Sequence, residues 1–142
     1  MLNFLPALYE VATLQDRVYR RLRDKLSQEI ISFGINLSEW AILGQLHSRG
    51  SLTTTEIAAL LDVEIPYITR MLKLLAEKEL VAASFNDEDK RSRDITLTAK
   101  GKSLIEEIEV SLEPFALKLN KSITLRNSVN YYKALRAIDK AI

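Results

Sequence analysis

The side chains best equipped for chemistry lie in NDEDKRSRDITLTAKG, residues 86–101, a mixed-charge run that becomes an alternating strand pattern and closes on a helix-start signal. A solvated turn needs only a few polar residues, so this density of charge calls for a partner. The chemistry on offer is ionic and hydrogen-bonded, not covalent. The chain has no cysteine and a single histidine, His47, which removes disulfides, thiolate metal sites and cysteine redox sensing. A metal site needs three or four ligands, so His47, set among apolar residues, reads as a packing or surface residue. No glycine-rich phosphate loop, nucleophile motif or ligand cluster stands out, and the acids of IEEIE (105–109) read as the polar face of a helix. No enzymatic activity, cofactor or metal is expected. Two further polar sets lie upstream. Thr54 and Thr55 open a short helix and can offer hydroxyls and N–H groups to a phosphate. Tyr67, Thr69, Arg70 and Lys73 lie on or near the helix face away from Ile68 and Leu75.

The elements that position these residues follow from apolar spacing and end signals. Leu5, Leu8, Ala12, Tyr19, Leu22, Leu26, Ile30 and Phe33 recur near a 3.6-residue period, so 5–33 is one long amphipathic helix with Pro6 near its start and Gly34 at its end. NLSEWAILGQLHSRG is a second helix, with Ser38 as N-cap and Leu37 and Ile42 as a hydrophobic staple. Trp40, Leu43, Leu46 and His47 share one of its faces, and Gly50 stops it. In SLTTTEIAALLDV, Thr53 and Glu56 have capping-box spacing and Leu52 and Ile57 staple spacing, with Ile57, Leu60 and Leu61 facing inward. After the turn DVE, Pro66 sits in the first turn of the next helix, where its missing N–H costs least. Ile68, Leu72, Leu75 and Ala76 make the buried stripe there, with Met71 at its flank. VAASF (81–85) and RDITL (93–97) are two strands around the charged tip. Thr98 caps a helix carrying Leu104, Ile105, Ile108, Leu112, Phe115 and Leu119, which Pro114 should kink or break. A last helix over 125–141 places Val129, Tyr132, Leu135 and Ile138 on one face.

Helix, short capped helix, tight turn, helix and hairpin is the order of a helix-turn-helix followed by a wing. In that arrangement the second helix of the pair can enter the major groove while the hairpin reaches the adjacent minor groove. The run from Leu37 to Gly101 resembles the multiple antibiotic resistance regulator (MarR) family of winged-helix transcription factors. DKRSRDITLTAKG (89–101) is similar to the family's wing pattern of Asp, any residue, Arg, then Ser or Thr, ending in Leu-Thr-x-x-Gly. LSEWAIL, LTTTEIAALLDV and ITRMLKLLAEKELV follow the family's pattern as well. The resemblance implies that Arg91 enters the narrow minor groove, where negative potential is highest. Asp89 would accept hydrogen bonds from Arg91 and hold its orientation. Lys90, Ser92 and Arg93 would contact phosphates, and Thr69 and Arg70 bases or phosphates, beside Tyr67 and Lys73. It implies a homodimer on double-stranded DNA, and a small aromatic or lipophilic effector in a cleft for which Trp40, Tyr9, Tyr19 and Phe33 are the candidate linings. Glu79 stands where the family often has glycine, so it would take a strained left-handed conformation or end the helix differently. Glu64 suits the helix dipole but would repel a phosphate, and Asp87 and Glu88 dilute the charge of the wing.

The bulk numbers agree with this reading. The 142 residues, 47% of them hydrophobic, suit one domain with helical extensions. The expected division is 1–36 as an N-terminal dimerisation helix, 37–101 as the winged helix-turn-helix, and 102–142 as C-terminal dimerisation helices. The fold class is mainly α with a small β-hairpin wing. Net charge is only +1, but RVYRRLRDK (17–25) holds five basic residues against Asp24, and IEEIEVSLE (105–113) four acids and no base. Such segregation permits a basic face. No apolar run approaches the ~18 residues of a membrane span, and MLNFLPALYE lacks the marks of a signal peptide, so the expected place is the cytoplasm, away from membranes. The expected function is that of a ligand-responsive repressor binding a pseudo-palindromic operator as a homodimer. The alternative is a winged-helix protein-interaction module that has lost DNA binding, which Glu79, Glu64 and the near-zero net charge support.

Overall fold

In the computed structural model the described residues are 7–85, 87–89 and 91–142; Leu5, Pro6 and Lys90 lie outside them. The apolar periods resolve into helices α1 (Leu8–Ile30), α2 (Leu37–Arg49), α3 (Thr54–Leu61), α4 (Ile65–Glu77), α5 (Ala99–Ser122) and α6 (Leu125–Ala141). Strands β1 (Ser51–Thr53), β2 (Val81–Phe85) and β3 (Arg93–Leu97) form one antiparallel sheet in the order β1-β3-β2. A short 3-10 turn, Ile31–Phe33, follows α1 and ends on Gly34 at φ 75°. The chain divides into two compact units, Met1–Ile108 and Glu109–Ile142.

The first unit holds the core. Ile42, Leu43 and Leu46 of α2 are buried, as are Ile57 and Ala58 of α3, Ile68, Met71, Leu72 and Leu75 of α4, Ile95 of β3, and Ile105 and Ile108 of α5. Positions 68, 71, 72 and 75 make one helical stripe. Ala76 falls on its rim and is exposed, against expectation, while Met71 lies inside. In the two turns of α3 the inward face is carried by Ile57 and Ala58, and Leu60, expected inside, is 40% exposed. The cap of α2 is also corrected. Asn36 Oδ1 accepts the Glu39 N–H at 2.9 Å, and Glu39 Oε2 accepts the Asn36 N–H at 2.9 Å. Ser38 could not complete such a reciprocal box, because Ala41, three residues on, has no acceptor. In α3 the box of Thr53 and Glu56 forms where its spacing places it.

The hairpin strands have the bounds read from the sequence, with Val81 opposite Leu97 and Phe85 opposite Arg93. The third strand, β1, was not expected. Leu52 pairs with Ile95 and Thr53 with Asp94, so the segment before α3 is part of the sheet that carries the wing. The expected interruption at Pro114 does not occur as a break: α5 runs through it as one helix. The imide nitrogen removes one rung of the i→i−4 ladder, and the helix continues across it.

In the second unit α6 is capped by Thr124, whose hydroxyl accepts the Asn127 N–H at 3.2 Å. Val129, Tyr132, Leu135 and Ile138 share a face of α6 and are all exposed. No helix among the described residues is long and apolar enough to cross a membrane.

Candidate nucleic-acid interface

The start of α3, the outer face of α4 and the wing enclose a concavity of about 470 Å³. Its rim carries three cations, Lys73, Arg91 and Arg93, and five hydroxyls, those of Thr53, Thr54, Thr55, Thr69 and Ser92. The floor is apolar, with Ala76, Ala82, Ala83 and Leu72. Among the described residues no carboxylate lines it. In a chain with 19 acids and 20 Lys and Arg, the charged side chains of this lining are all basic. Thr53 spends its hydroxyl on the Glu56 N–H at 3.2 Å. Thr54 and Thr55 then present the first turn of α3, whose N–H groups have no partner within the helix.

Tyr67 and Arg70 stand outside this lining, toward the start of α4. The Tyr67 hydroxyl donates to Ser38 Oγ at 2.5 Å, and its ring is half-buried. The Arg70 guanidinium lies 5.4 Å from the centre of that ring. The Thr69 hydroxyl donates to the Ile65 carbonyl at 3.0 Å. Glu64 is the exposed N-cap residue of α4, with no side-chain cap bond.

In the wing, Asp89 Oδ1 accepts the main-chain N–H of Arg91 at 2.9 Å, and the Asp89 carbonyl accepts the Ser92 N–H at 3.0 Å. The carboxylate therefore acts on the backbone turn that presents Arg91. The Arg93 guanidinium lies 5.2 Å from the ring centre of Phe85, its cross-strand neighbour, which is 69% exposed. Phe85 was not singled out from sequence; its position opposite Arg93 in the hairpin register was the available signal.

The Leu-Thr-x-x-Gly end of the wing is a clasp on the end of α4. The Thr98 N–H donates to the Leu80 carbonyl at 3.1 Å, and the Thr98 hydroxyl donates to the Glu79 carbonyl at 2.7 Å. The same hydroxyl accepts the Gly101 N–H at 3.0 Å. A Cβ on Gly101 would stand 2.0 Å from the Leu80 oxygen, so only glycine fits. Glu79 takes φ 62°, the left-handed conformation its position demanded. Sequence reasoning also passed over Glu39 and Lys78. Glu39, 1% exposed, accepts from Lys78 Nζ at 2.7 Å, and the same ammonium donates to the Gly34 carbonyl at 2.9 Å.

The expected aromatic cleft is not one cavity. Tyr19 lines a concavity of about 610 Å³ with Ser38, Leu61 and Tyr67. Phe33 lines another of about 550 Å³ with Ile35, Lys78, Lys100 and Leu104. Tyr9, 70% exposed, and Trp40 line neither. Among the described residues no cluster of three or more His, Cys, Asp or Glu is placed to hold a metal.

The model of the MarR family matches residues 35–92. An HTH-type transcriptional regulator of Bacillus subtilis, YwoH, is 34% identical over 100 residues, covering 70% of this chain and 72% of that one. The chain belongs to the MarR family. It is also similar to the HTH-type transcriptional repressor MdtR of the same bacterium, 28% identical over 91 residues, which cover 64% of this chain and 59% of MdtR. Solved structures share the fold at low identity. A mutant of Escherichia coli MarR complexed with operator DNA superposes with a TM-score of 0.80 at 21% identity, covering 94% of this chain and 99% of that one. Staphylococcus aureus MepR in its DNA-binding conformation gives 0.83 at 21% identity, over 92% and 97%. YwoH and MdtR are named as HTH-type transcriptional regulator and repressor, and the fold described above is shared with the solved MarR and MepR structures.

Proposed function

We propose that the chain is a ligand-responsive transcriptional repressor that binds a pseudo-palindromic operator as a homodimer. The observation that carries the DNA-binding part is the carboxylate-free groove, in which the first turn of α3, the outer face of α4 and the wing converge. In this reading α4 enters the major groove with Thr69, Arg70 and Lys73, beside Tyr67, facing bases and phosphates. Thr54 and Thr55 meet a phosphate at the helix start. Arg91 enters the adjacent minor groove on the turn that Asp89 shapes, and Lys90, Ser92 and Arg93 hold the flanking phosphates. Related structures of E. coli MarR with operator DNA and of S. aureus MepR with DNA support the mode of binding, and the name of MdtR supports repression.

The homodimer is supported by the exposed apolar face of α6 and by Leu8, Leu14, Val18 and Leu22 of α1, which stand in water in the single chain. A two-fold dimer places its half-sites about one helical turn, ~34–36 Å, apart. An effector of the small aromatic or lipophilic class would be taken by one of the two concavities beside α2 and α5, whose sizes suit such a molecule. It would act by differential affinity for two spacings of the reading heads.

A second reading, a protein-interaction module without DNA binding, draws on the exposed Glu64 at the start of α4 and on the exposed Asp87 and Glu88 of the wing. One experiment separates the two. Fluorescence anisotropy on DNA from upstream of the protein's own gene, over a salt series, should show affinity falling with a slope of about −0.9 per neutralised phosphate. Arg91→Ala should make that slope shallower or lower the preference over unrelated duplex. A dimeric, folded wild type that ignores both duplexes at low salt favours the interaction module.

A further inference from the structure

Arg70 is exposed, and its guanidinium rests against one ring. The guanidinium sits 5.4 Å from the Tyr67 ring centre, and that ring is held at its far end by the hydroxyl's bond to Ser38 at 2.5 Å. Ser38 is itself on a fixed turn. Asn36 before it caps α2, and Glu39 after it is buried and paired with Lys78. Tyr67 belongs to the first turn of α4, and Lys78 is its C-cap. Both ends of α4 are thus tied to adjacent residues of a single turn of α2, through two long side chains. Rotation of α4 about its axis would break both ties.

We infer that Ser38 and Tyr67 are positioning residues for Arg70, and that Arg70, not Tyr67, reads a guanine edge in the operator. The inference rests on the DNA-binding reading above and deepens it. The Tyr67 hydroxyl is already committed to Ser38, whereas the Arg70 fork is exposed and carried by a helix tied to α2 at both ends. A guanidinium held against a ring face has less freedom to lose when it binds, and the bidentate pairing of arginine with guanine O6 and N7 is the commonest specific contact in the major groove. A contact of this type favours the held orientation by about threefold at an exposed site. The effect belongs to recognition of the preferred sequence. It should leave the phosphate-driven affinity for arbitrary DNA alone.

The test uses the full chain and two readouts. Duplexes enriched by the wild type from a randomised pool are compared with unenriched duplex by fluorescence anisotropy, for wild type, Ser38→Ala, Ser38→Thr, Tyr67→Phe and Arg70→Ala. Arg70→Ala should abolish discrimination at one G·C pair. Ser38→Ala should lower the preference for the enriched duplex by up to about threefold, with affinity for unenriched duplex and the salt slope unchanged; Tyr67→Phe should lower that preference likewise, and Ser38→Thr should restore it. In parallel, the Nε–H resonance of Arg70 should show a ring-current shift that Tyr67→Leu removes and Ser38→Ala reduces. Wild-type preference in Ser38→Ala, equal losses on both duplexes, or an Arg70 resonance indifferent to Tyr67→Leu would each overturn the inference. A wild type that enriches nothing defeats the DNA-binding reading and the guanine assignment with it, whereas the resonance decides separately whether Tyr67 holds Arg70.

Discussion

Met1–Ile108 and Glu109–Ile142 are both built around amphipathic helices, but only the first buries a core, and it does so with the stripes that follow α1. Ile57, Ile68, Leu75, Ile105 and Ile108 are sealed from water. In the second unit Val129, Tyr132, Leu135 and Ile138 keep the same kind of stripe and leave it in solvent. A 3.6-residue period says that a helix face wants a cover; it does not say which chain supplies it. In the first unit the cover is internal, because α2, α3, α4 and the sheet present stripes to one another and polar clasps fix their ends. An exposed stripe of this length in the second unit is what the proposed homodimer uses.

That contrast can be broken most decisively in α6. The double substitution Leu135→Asp with Ile138→Asp should weaken self-association by at least about 4 kcal/mol, near a thousandfold, because each change counts twice across a two-fold interface. Sedimentation equilibrium reads the mass, and the near-ultraviolet signal of Trp40 should report an unchanged first unit. A wild type that sediments as a monomer breaks the comparison outright.

The first unit should respond oppositely, in stability and not in mass. Gly101→Ala drives a methyl group into the Leu80 carbonyl and should cost about 3 kcal/mol in urea unfolding. Lys78→Met leaves the buried Glu39 carboxylate without its ammonium. The lysine end of that pair is partly solvated, so the expected loss is about 2 kcal/mol, below that of a fully enclosed pair. The smallest effect is a gain. Glu79→Gly relieves the left-handed backbone at φ 62°, and after the extra freedom of glycine in the unfolded chain it should stabilise by about 0.5 kcal/mol, seen as a rise in Tm of about 2 °C. A Tm that falls means that the exposed Glu79–Lys100 pair at 3.5 Å matters more than the strain.

Much of the first unit was legible in the residues. The bounds of β2 and β3 follow from the short run VAASF and the alternation of RDITL on either side of a charged tip, the Thr53–Glu56 box from its spacing, and the conformation of Glu79 from its place where the family often has glycine. What stayed hidden was short or distant. Three residues of β1 are too few for a period of two to show. The Asn36 box was masked by a better-looking serine two positions on. Met71 and Ala76 trade places because the rim of a stripe is set by what packs there, which one helix alone cannot reveal. Glu39 and Lys78 look like ordinary surface charges until the fold brings them to 2.7 Å. Of the candidate interface, the residue types could be read from the sequence. That acids are kept out of the groove lining, and that Tyr67 turns toward Ser38, are facts of packing.

The pairing of β1 with β3 also orders events in time. The hairpin β2–β3 and the helix pair α3–α4 join residues close in sequence and can form early. Thr53 meets Asp94 only after the whole intervening stretch has been arranged, and contacts of that reach come late because the loop entropy is lost before the contact is gained. Thr53 ends the strand and caps α3 in the same position, so the late docking step joins an already capped helix start to the wing. A chain caught before it has its helices but no groove. The concave surface is the last part of the reading head to come into being, and local opening at those few strand residues is enough to dissolve it.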